Sequence, residues 1–201
     1  MNSQAERRPI IAVIGDGSIA EPDPRLTIAR DCGQRLIDLG YRLLTGGLGG
    51  IMRAASQGGR GSKAYTPGCI IGILPGHDPS DANEYVDICI ATGIDVGRNL
   101  IVANADAIIA VGGGAGTLSE LALGWQLHRL LVALRVPGWS GELADRRIDE
   151  RIRYPTIAED RVFGVSTAEE AIALIRRWLP HYQRRHRGVG RAQRTPSDGT
   201  G

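Results

Sequence analysis

Short apolar runs, each ended by a glycine turn and followed by a helical pattern, recur along the chain. The runs are IIAVIGDG, YRLLTGGLGG, CIIGILPG, VDICIATG, DAIIAVGGG and LLVALRVPG. Near-continuous apolar strands that alternate with helices are typical of a parallel sheet covered by helices on both sides. The sequence therefore predicts an α/β fold, a doubly wound parallel sheet with helices on both faces.

Helical periodicity is clearest over residues 26–39, where Gly40 then has the position of a C-cap glycine. Further predicted elements are helices at 51–57, 98–105, 117–127 and 167–179, a short last strand at 163–165, and a charged surface excursion with one helical turn at 138–154. A chain of 201 residues is long enough for one well-buried domain. We expect a disordered N-terminus at 1–8, a ligand-binding domain at 9–179 and a disordered Arg-rich tail at 180–201.

The composition excludes several classes of function. Aromatic residues make up 4% of the chain, which argues against a groove that stacks single-stranded nucleic acid. Three cysteines without a CxxC pair indicate neither a disulfide framework nor a metal site. The N-terminal apolar run is too short for a signal peptide, and no segment approaches the roughly 20 apolar residues that span a bilayer. We predict a cytoplasmic protein that needs no membrane.

Four glycine-containing turns follow strands at one edge of the predicted sheet, at residues 15–18, 46–50, 92–98 and 112–117. Ligands of doubly wound folds bind beyond this edge, and helices that start there offer free N–H groups to an anion. A phosphorylated small molecule is the expected ligand. GDGSIAE lacks the GxGxxG spacing and GRGSK lacks the P-loop pattern, so the NAD and ATP interpretations are weak.

Two charged residues of these turns have two interpretations each. Glu120 completes a capping box if Thr117 is the N-cap, yet the same geometry places a carboxylate at the mouth of the phosphate cradle. Arg98 begins a helix, where a cation is slightly unfavourable, and it binds either a phosphate or a carboxylate at Asp95 or Glu120. The candidate ligand- and phosphate-binding residues are Gly15, Asp16, Ser18, Gly46, Gly47, Gly49, Gly50, Arg98, Asn99, Gly113, Gly114, Gly116, Thr117 and Glu120.

Several motifs together resemble one known superfamily. AVIGDG, GGLGGIMRAA, ILPGHDPSDANEYVDICIATGI and GRNLIVANADAIIAVGGGAGTLSE look like the bacterial branch of the Lonely Guy and molybdenum-cofactor-carrier superfamily, across residues 9–179. Its members are often labelled "possible lysine decarboxylase". The resemblance implies a Rossmann-like fold, a homodimer or higher homo-oligomer, and a small-molecule pocket at the edge described above.

Lonely Guy enzymes cleave the N-glycosidic bond of cytokinin nucleoside monophosphates, with motifs GGGxxGLM and PGGxGTxxE. Residues 112–120 resemble the second motif, so the resemblance implies catalytic roles for Glu120 and Arg98 in a hydrolase. The chain departs from the enzymes where Gly112 replaces a proline, where Asn99 replaces a lysine, and in a GGLGGIM turn that is one residue shorter. These departures bring it closer to the molybdenum cofactor carriers, which bind a phosphate-bearing pterin without chemistry.

The leading prediction is a binding protein for a phosphorylated nucleotide-like or pterin ligand, with no required cofactor and with molybdenum cofactor as candidate cargo. The alternative is a nucleoside 5'-monophosphate phosphoribohydrolase. A second alternative, by analogy of fold, is a DNA-binding protein related to DNA-processing proteins, in which the Arg-rich tail holds DNA. A pyridoxal-phosphate decarboxylase is excluded, because the sole lysine, Lys63, lies in a predicted loop.

Overall fold

The computed structural model of the chain describes residues 7–184. In that range, seven parallel strands form one sheet in the order β4-β3-β2-β1-β5-β6-β7. The strands are β1 (Ile10–Gly15), β2 (Arg42–Thr45), β3 (Ile70–Leu74), β4 (Ile88–Ala91), β5 (Ala107–Val111), β6 (Leu130–Leu134) and β7 (Phe163–Val165). The helices are α1 (Pro24–Asp38), α2 (Gly50–Arg60), α3 (Asn99–Ala103), α4 (Ala115–Gln126), α5 (Trp139–Leu143) and α6 (Ala168–Trp178).

Helices cover the sheet on both faces, as predicted. Helices α1, α2 and α6 contribute to one apolar cluster with one face of the strands, and α3 and α4 contribute to the cluster on the opposite face. The central strands β5 and β6 are buried at every position, which is why they read as uninterrupted apolar runs. The Rossmann-like α/β fold is confirmed.

Glycines allow α1 and α2 to pack with their backbones in close contact. A Cβ atom at Gly33 would stand 1.9 Å from the carbonyl oxygen of Ala55, and one at Gly58 would stand 1.9 Å from that of Arg30. Gly40, predicted as the C-cap glycine, follows α1 with a φ of 78° and donates its N–H to the Ile37 carbonyl. Part of the high glycine content therefore serves packing and helix ends.

The charged excursion contains α5 and then folds back against the end of α4. Arg153 is buried, pairs with Asp160 at 2.5 Å and places its guanidinium 3.6 Å from the centre of the Trp125 ring. A buried pair of this kind needs further polar partners to offset its desolvation. The Tyr182 hydroxyl supplies one, donating to Asp160 at 2.7 Å.

The packed part of the chain extends further than the predicted boundary at residue 179. Tyr182 is fully buried, and its ring packs at a tilt against the Tyr154 ring, with ring centres 4.6 Å apart. The prediction placed this residue in the tail because no apolar period continues past Pro180, and the burial of a single aromatic side chain leaves no such period. Most of the predicted disordered N-terminus, residues 1–6, and the rest of the Arg-rich tail, 185–201, lie outside the described residues.

Candidate ligand-binding site

The strand order reverses between β1 and β5, and a cavity of about 290 Å³ opens beyond the carboxyl ends of these strands. Such a reversal is where doubly wound folds bind their ligands. Nine of the predicted site residues line the cavity: Gly15, Asp16, Gly46, Arg98, Asn99, Gly114, Gly116, Thr117 and Glu120. Five others do not line it: Ser18, Gly47, Gly49, Gly50 and Gly113.

Helix α4 starts three residues earlier than a Thr117 N-cap requires. Its first residue is Ala115, and its N-cap, Gly114, gives no side-chain cap to the first turn. The capping-box interpretation of Glu120 is therefore wrong. The physical reason is the preceding turn, because Gly112 and Gly113 take φ values of 65° and 91°, which turn the chain into the helix directly.

The free N–H groups of the first turn of α4 lie beside open space. A Cβ atom added at Gly114 or Gly116 would have no protein atom within 4 Å, although both residues line the cavity. Neither glycine is needed for packing, so the backbone at these two positions is accessible from the cavity. Helix N-termini of this kind bind anions through their N–H groups and dipole.

The second glycine turn, after β2, serves packing more than ligand contact. Gly50 has a φ of 56°, and a Cβ there would stand 2.1 Å from the carbonyl oxygen of Asp16. The Ile51 N–H donates to that same carbonyl at 2.9 Å, which fastens the start of α2 to the turn after β1. Helix α2 also lacks a side-chain cap, so the partial positive charge of its N-terminus is not offset by a capping side chain near the cavity.

Arg98 is held at the cavity wall without a carboxylate partner. It ends a 3₁₀ turn at Asp95–Arg98 and precedes α3, and its Nη1 atom is buried with no hydrogen-bond partner. No ion pair joins Arg98 to Asp95 or Glu120 within the described chain, so the ion-pair interpretation is wrong. A Cβ at Gly46 would stand 2.0 Å from this Nη1, so the glycine makes room for the guanidinium.

Glu120 is buried, with 6% of its surface exposed, and it faces the same cavity from the sixth position of α4. Among residues 7–184, no hydrogen bond or ion pair engages its carboxyl group. Burial raises the pKa of Glu120 to about 7, and the nearby positive charge of Arg98 opposes this rise only in part. The site thus contains a cation and a carboxyl group that do not neutralise each other.

Three other predicted polar residues, Asn99, Asp16 and Ser18, are engaged in local structure. Asn99 donates from Nδ2 to the Ser119 hydroxyl at 2.8 Å, which joins α3 to α4 at the cavity wall. The Asp16 carboxylate accepts from the N–H and hydroxyl of Ser18 at 3.0 and 2.9 Å, forming the turn after β1. Lys63 lies exposed in the loop between α2 and β3, outside the cavity.

Sequence reasoning missed four residues that line the cavity, namely Ile14, Gly17, Leu48 and Met52. It also missed Asn83, which braces the second glycine turn. The Asn83 side chain donates to the carbonyl oxygens of Gly47 and Leu48, both at 3.0 Å, and its backbone N–H donates to Gly47 at 2.8 Å. Met52, in the first turn of the helix after GGLGG, could have been inferred from its position, whereas Asn83 gives no local signal.

The described residues contain no group of three or more His, Cys, Asp or Glu side chains placed to hold a metal ion. None of the helices between residues 7 and 184 is long and apolar enough to cross a membrane. What the cavity does offer is uncapped helix starts, one unpaired guanidinium, one unpaired carboxyl group and an apolar wall. These features define an α/β protein with a partly charged cavity at the switch point of its sheet.

The chain belongs to the SLOG cluster4 family, whose family model matches residues 8–172. It is similar to the molybdenum cofactor binding protein of Rippkaea orientalis, with 36% identity, a TM-score of 0.69, and coverage of 86% of this chain and 98% of that one. It is also similar to the molybdenum cofactor carrier protein of Chlamydomonas reinhardtii, with 29% identity, a TM-score of 0.69, and coverage of 86% and 99%. The predicted superfamily is therefore confirmed.

A more distant likeness concerns the DNA-binding alternative. DNA processing protein A of Helicobacter pylori aligns with a TM-score of 0.55 over 84% of this chain and 80% of that one, at 15% identity. Similarity at this level is a similarity of fold alone. The Arg-rich tail, on which the alternative depended, lies mostly outside the described residues.

Proposed function

We propose that the chain is a cytoplasmic binding protein for a phosphorylated pterin or nucleotide-like ligand, with molybdenum cofactor as the first candidate. The observation that carries the proposal is the Arg98 guanidinium, whose Nη1 atom is buried beside the cavity without a partner. A buried polar group left unpaired is costly, so its persistence points to a partner supplied by the ligand. Similarity to two proteins that bind or carry molybdenum cofactor supports this choice of ligand.

The ligand's phosphate belongs between Arg98 and the first turn of α4 in this proposal. The open space at Gly114 and Gly116 lets phosphate oxygens reach backbone N–H groups, and the guanidinium adds charge-assisted hydrogen bonds. The apolar side chains that line the cavity, Leu48 and Met52 among them, then contact the ring system. The residues bind and orient the ligand, and no step changes a bond.

Anaerobic calorimetric titration with molybdenum cofactor and with adenosine 5'-monophosphate tests the proposal. We expect at least one of them to bind, and we expect Arg98→Gln to weaken binding by about 10- to 100-fold, since a hydrogen bond to a charged group contributes about 1.5–3 kcal/mol. Arg53→Gln is the matched control, because Arg53 pairs with Glu84 outside the cavity. Failure of the folded wild-type chain to bind either ligand contradicts the proposal.

The phosphoribohydrolase remains a second candidate because of Glu120. A buried, unpaired carboxyl group at the cavity is suited to stabilise an oxocarbenium-like ribose and to orient water, provided that it is ionised. Release of ribose 5-phosphate from a panel of nucleoside 5'-monophosphates tests this function. Turnover that is lost in Glu120→Gln would replace the carrier proposal, whereas binding without turnover supports it.

We further propose that a second copy of the chain covers an apolar surface beside the site. Of the nine exposed large apolar side chains in the described range, six lie between Ile88 and Ile101. A second cavity of about 500 Å³, lined by Val96, Leu100 and Leu123 among others, adjoins this surface and shares Asn99 and Gly116 with the ligand cavity. Exposed apolar side chains concentrated in one segment beside an apolar cavity are typical of an interface. A second copy bound there would also close the ligand site.

Sedimentation velocity of two aspartate variants tests the oligomer. Val96 is 74% exposed on the proposed interface, and Ile152 is 75% exposed elsewhere, so the pair is matched in exposure. We expect a dimeric or larger wild-type protein, a monomeric Val96→Asp protein and an Ile152→Asp protein that assembles normally. A monomeric wild-type protein, or equal assembly of both variants, contradicts the proposed interface and leaves the proposal of ligand binding unaffected.

A further inference from the structure

The surroundings of Glu120 compensate only part of the cost of a negative charge on its buried carboxyl group. The other charged groups at the cavity are Arg98, from the 3₁₀ turn before α3, and Asp16, from the turn after β1. The elements β1, α2 and α3 and the turn after β2 contribute only glycines, Asn99 and apolar side chains. Because Arg98 forms no ion pair with Glu120 in the described part of the chain, its charge offsets the cost of burying the ionised form only in part.

A bound phosphate makes the ionised form of Glu120 still less favourable. The proposed phosphate engages Arg98, so the one positive side chain near Glu120 is then neutralised. It also brings further negative charge into the same cavity, and like charges in a low-dielectric site disfavour a second ionisation. Both effects act in the same direction, toward a protonated Glu120 in the complex.

We propose that Glu120 recognises the ligand as a neutral carboxylic acid, donating its proton to an acceptor atom of the phosphorylated ligand. The inference rests on the proposed function, because it needs a phosphate in this cavity. The balance is simple: an ionised Glu120 takes one proton from solvent as the ligand binds, and no covalent bond in the ligand changes. The ligand class is thereby narrowed to phosphorylated molecules that present a hydrogen-bond acceptor, such as a carbonyl or ring nitrogen, beside the phosphate.

This role differs from that of the hydrolase alternative in the sign of its pH dependence. A neutral Glu120 that donates a proton binds the ligand best below pH 7, and affinity falls as pH rises above the pKa of about 7. With one linked proton, the fall approaches tenfold per pH unit. A hydrolase that needs the carboxylate instead gains activity over the same interval.

Anaerobic titration with molybdenum cofactor at pH 8, in two buffers of different ionisation enthalpy, measures the protons taken up per ligand. Most of the free Glu120 is ionised at this pH, so we expect wild-type protein to take up roughly half a proton or more beyond Glu120→Gln. Subtracting the glutamine variant removes any uptake by the phosphate itself. The amide keeps a neutral donor, and the affinity of Glu120→Gln is expected to be independent of pH between 7 and 9.

The outcomes separate this inference from the proposed function. Binding with extra proton uptake in wild type, absent in Glu120→Gln, supports the inference. Binding with equal uptake in both proteins, or with an affinity of wild type that does not fall above pH 7, overturns the inference and leaves the carrier function standing. No binding by either folded protein refutes the proposed function, and the inference with it.

Discussion

Replacing Gly46 with alanine should push the Arg98 guanidinium out of its position at the ligand cavity. The new Cβ would stand 2.0 Å from Nη1 and 2.8 Å from Cζ of Arg98, whereas real Cβ contacts are essentially never shorter than 3.0 Å. The guanidinium must therefore retreat by about 1 Å or more, which breaks well-formed hydrogen bonds. The Gly46 backbone has no positive φ, so alanine fits it, and the flexible ends of Arg98 and Met52 can yield.

The expected loss of affinity follows from the contact that is displaced. Hydrogen bonds to a charged group contribute about 1.5–3 kcal/mol, so Gly46→Ala should weaken binding of molybdenum cofactor by about 10- to 100-fold. Calorimetric titration measures the affinity, and thermal unfolding verifies that the variant is folded. Gly61→Ala is the matched control, since its Cβ would meet nothing closer than 3.5 Å and lies outside the cavity. A folded Gly46→Ala protein that binds as tightly as wild type refutes the assigned role of Arg98.

Three further predictions concern other residues of the site. Gly116→Ala should raise the free energy of unfolding by about 0.5–1 kcal/mol, as measured by thermal unfolding. It should also weaken ligand binding in titration, because the new methyl group occupies the open space beside the helix N–H groups. Unchanged affinity would contradict a ligand bound at the start of α4. Asn83→Ala leaves the carbonyls of Gly47 and Leu48 without their donor and should cost about 1–3 kcal/mol of stability in urea unfolding. Glu120→Gln should stabilise the ligand-free protein by about 3 kcal/mol at pH 8 and little at pH 4, because the native state binds its proton more tightly than the unfolded state; an equal effect at both pH values would contradict the raised pKa.

The sequence was sufficient for the sheet because buried parallel strands carry their own signal. Strand β5, for example, is buried at all five positions, so its sequence is an uninterrupted apolar run that ends at a glycine turn. Such a run is readily recognised as a strand of a parallel sheet. Because all the strands are parallel, the turns that follow them lie at the same edge of the sheet. Gly46, Arg98 and Glu120, in or after these turns, therefore line the same cavity. The start of α4 was predicted too late, because the capping-box pattern at Thr117 suggested a later N-cap. The sequence does not reveal the positive φ angles of the two glycines that precede the helix and start it earlier.

Other features of the site depend on contacts between distant segments. Asn83 braces a turn that lies 36 residues earlier in the chain, and no periodicity or motif records such a pairing. The isolation of Glu120 depends on where the Arg98 side chain stands, and sequence reasoning left an ion pair between them open. Tyr182 was likewise assigned to the tail, because its burial depends on contacts with Tyr154 of the excursion and with Asp160, which follows the excursion.

Retention of molybdenum cofactor through gel filtration under anaerobic conditions tests the central claim most directly. Wild-type protein and Arg98→Gln are each incubated with the cofactor, and the molybdenum that elutes with the protein is measured per chain. The proposed carrier function predicts close to one equivalent on the wild-type protein and a small fraction of that on Arg98→Gln. Wild-type protein that elutes without molybdenum, or equal retention by the two proteins, would contradict the proposed function or its assignment to this cavity, respectively.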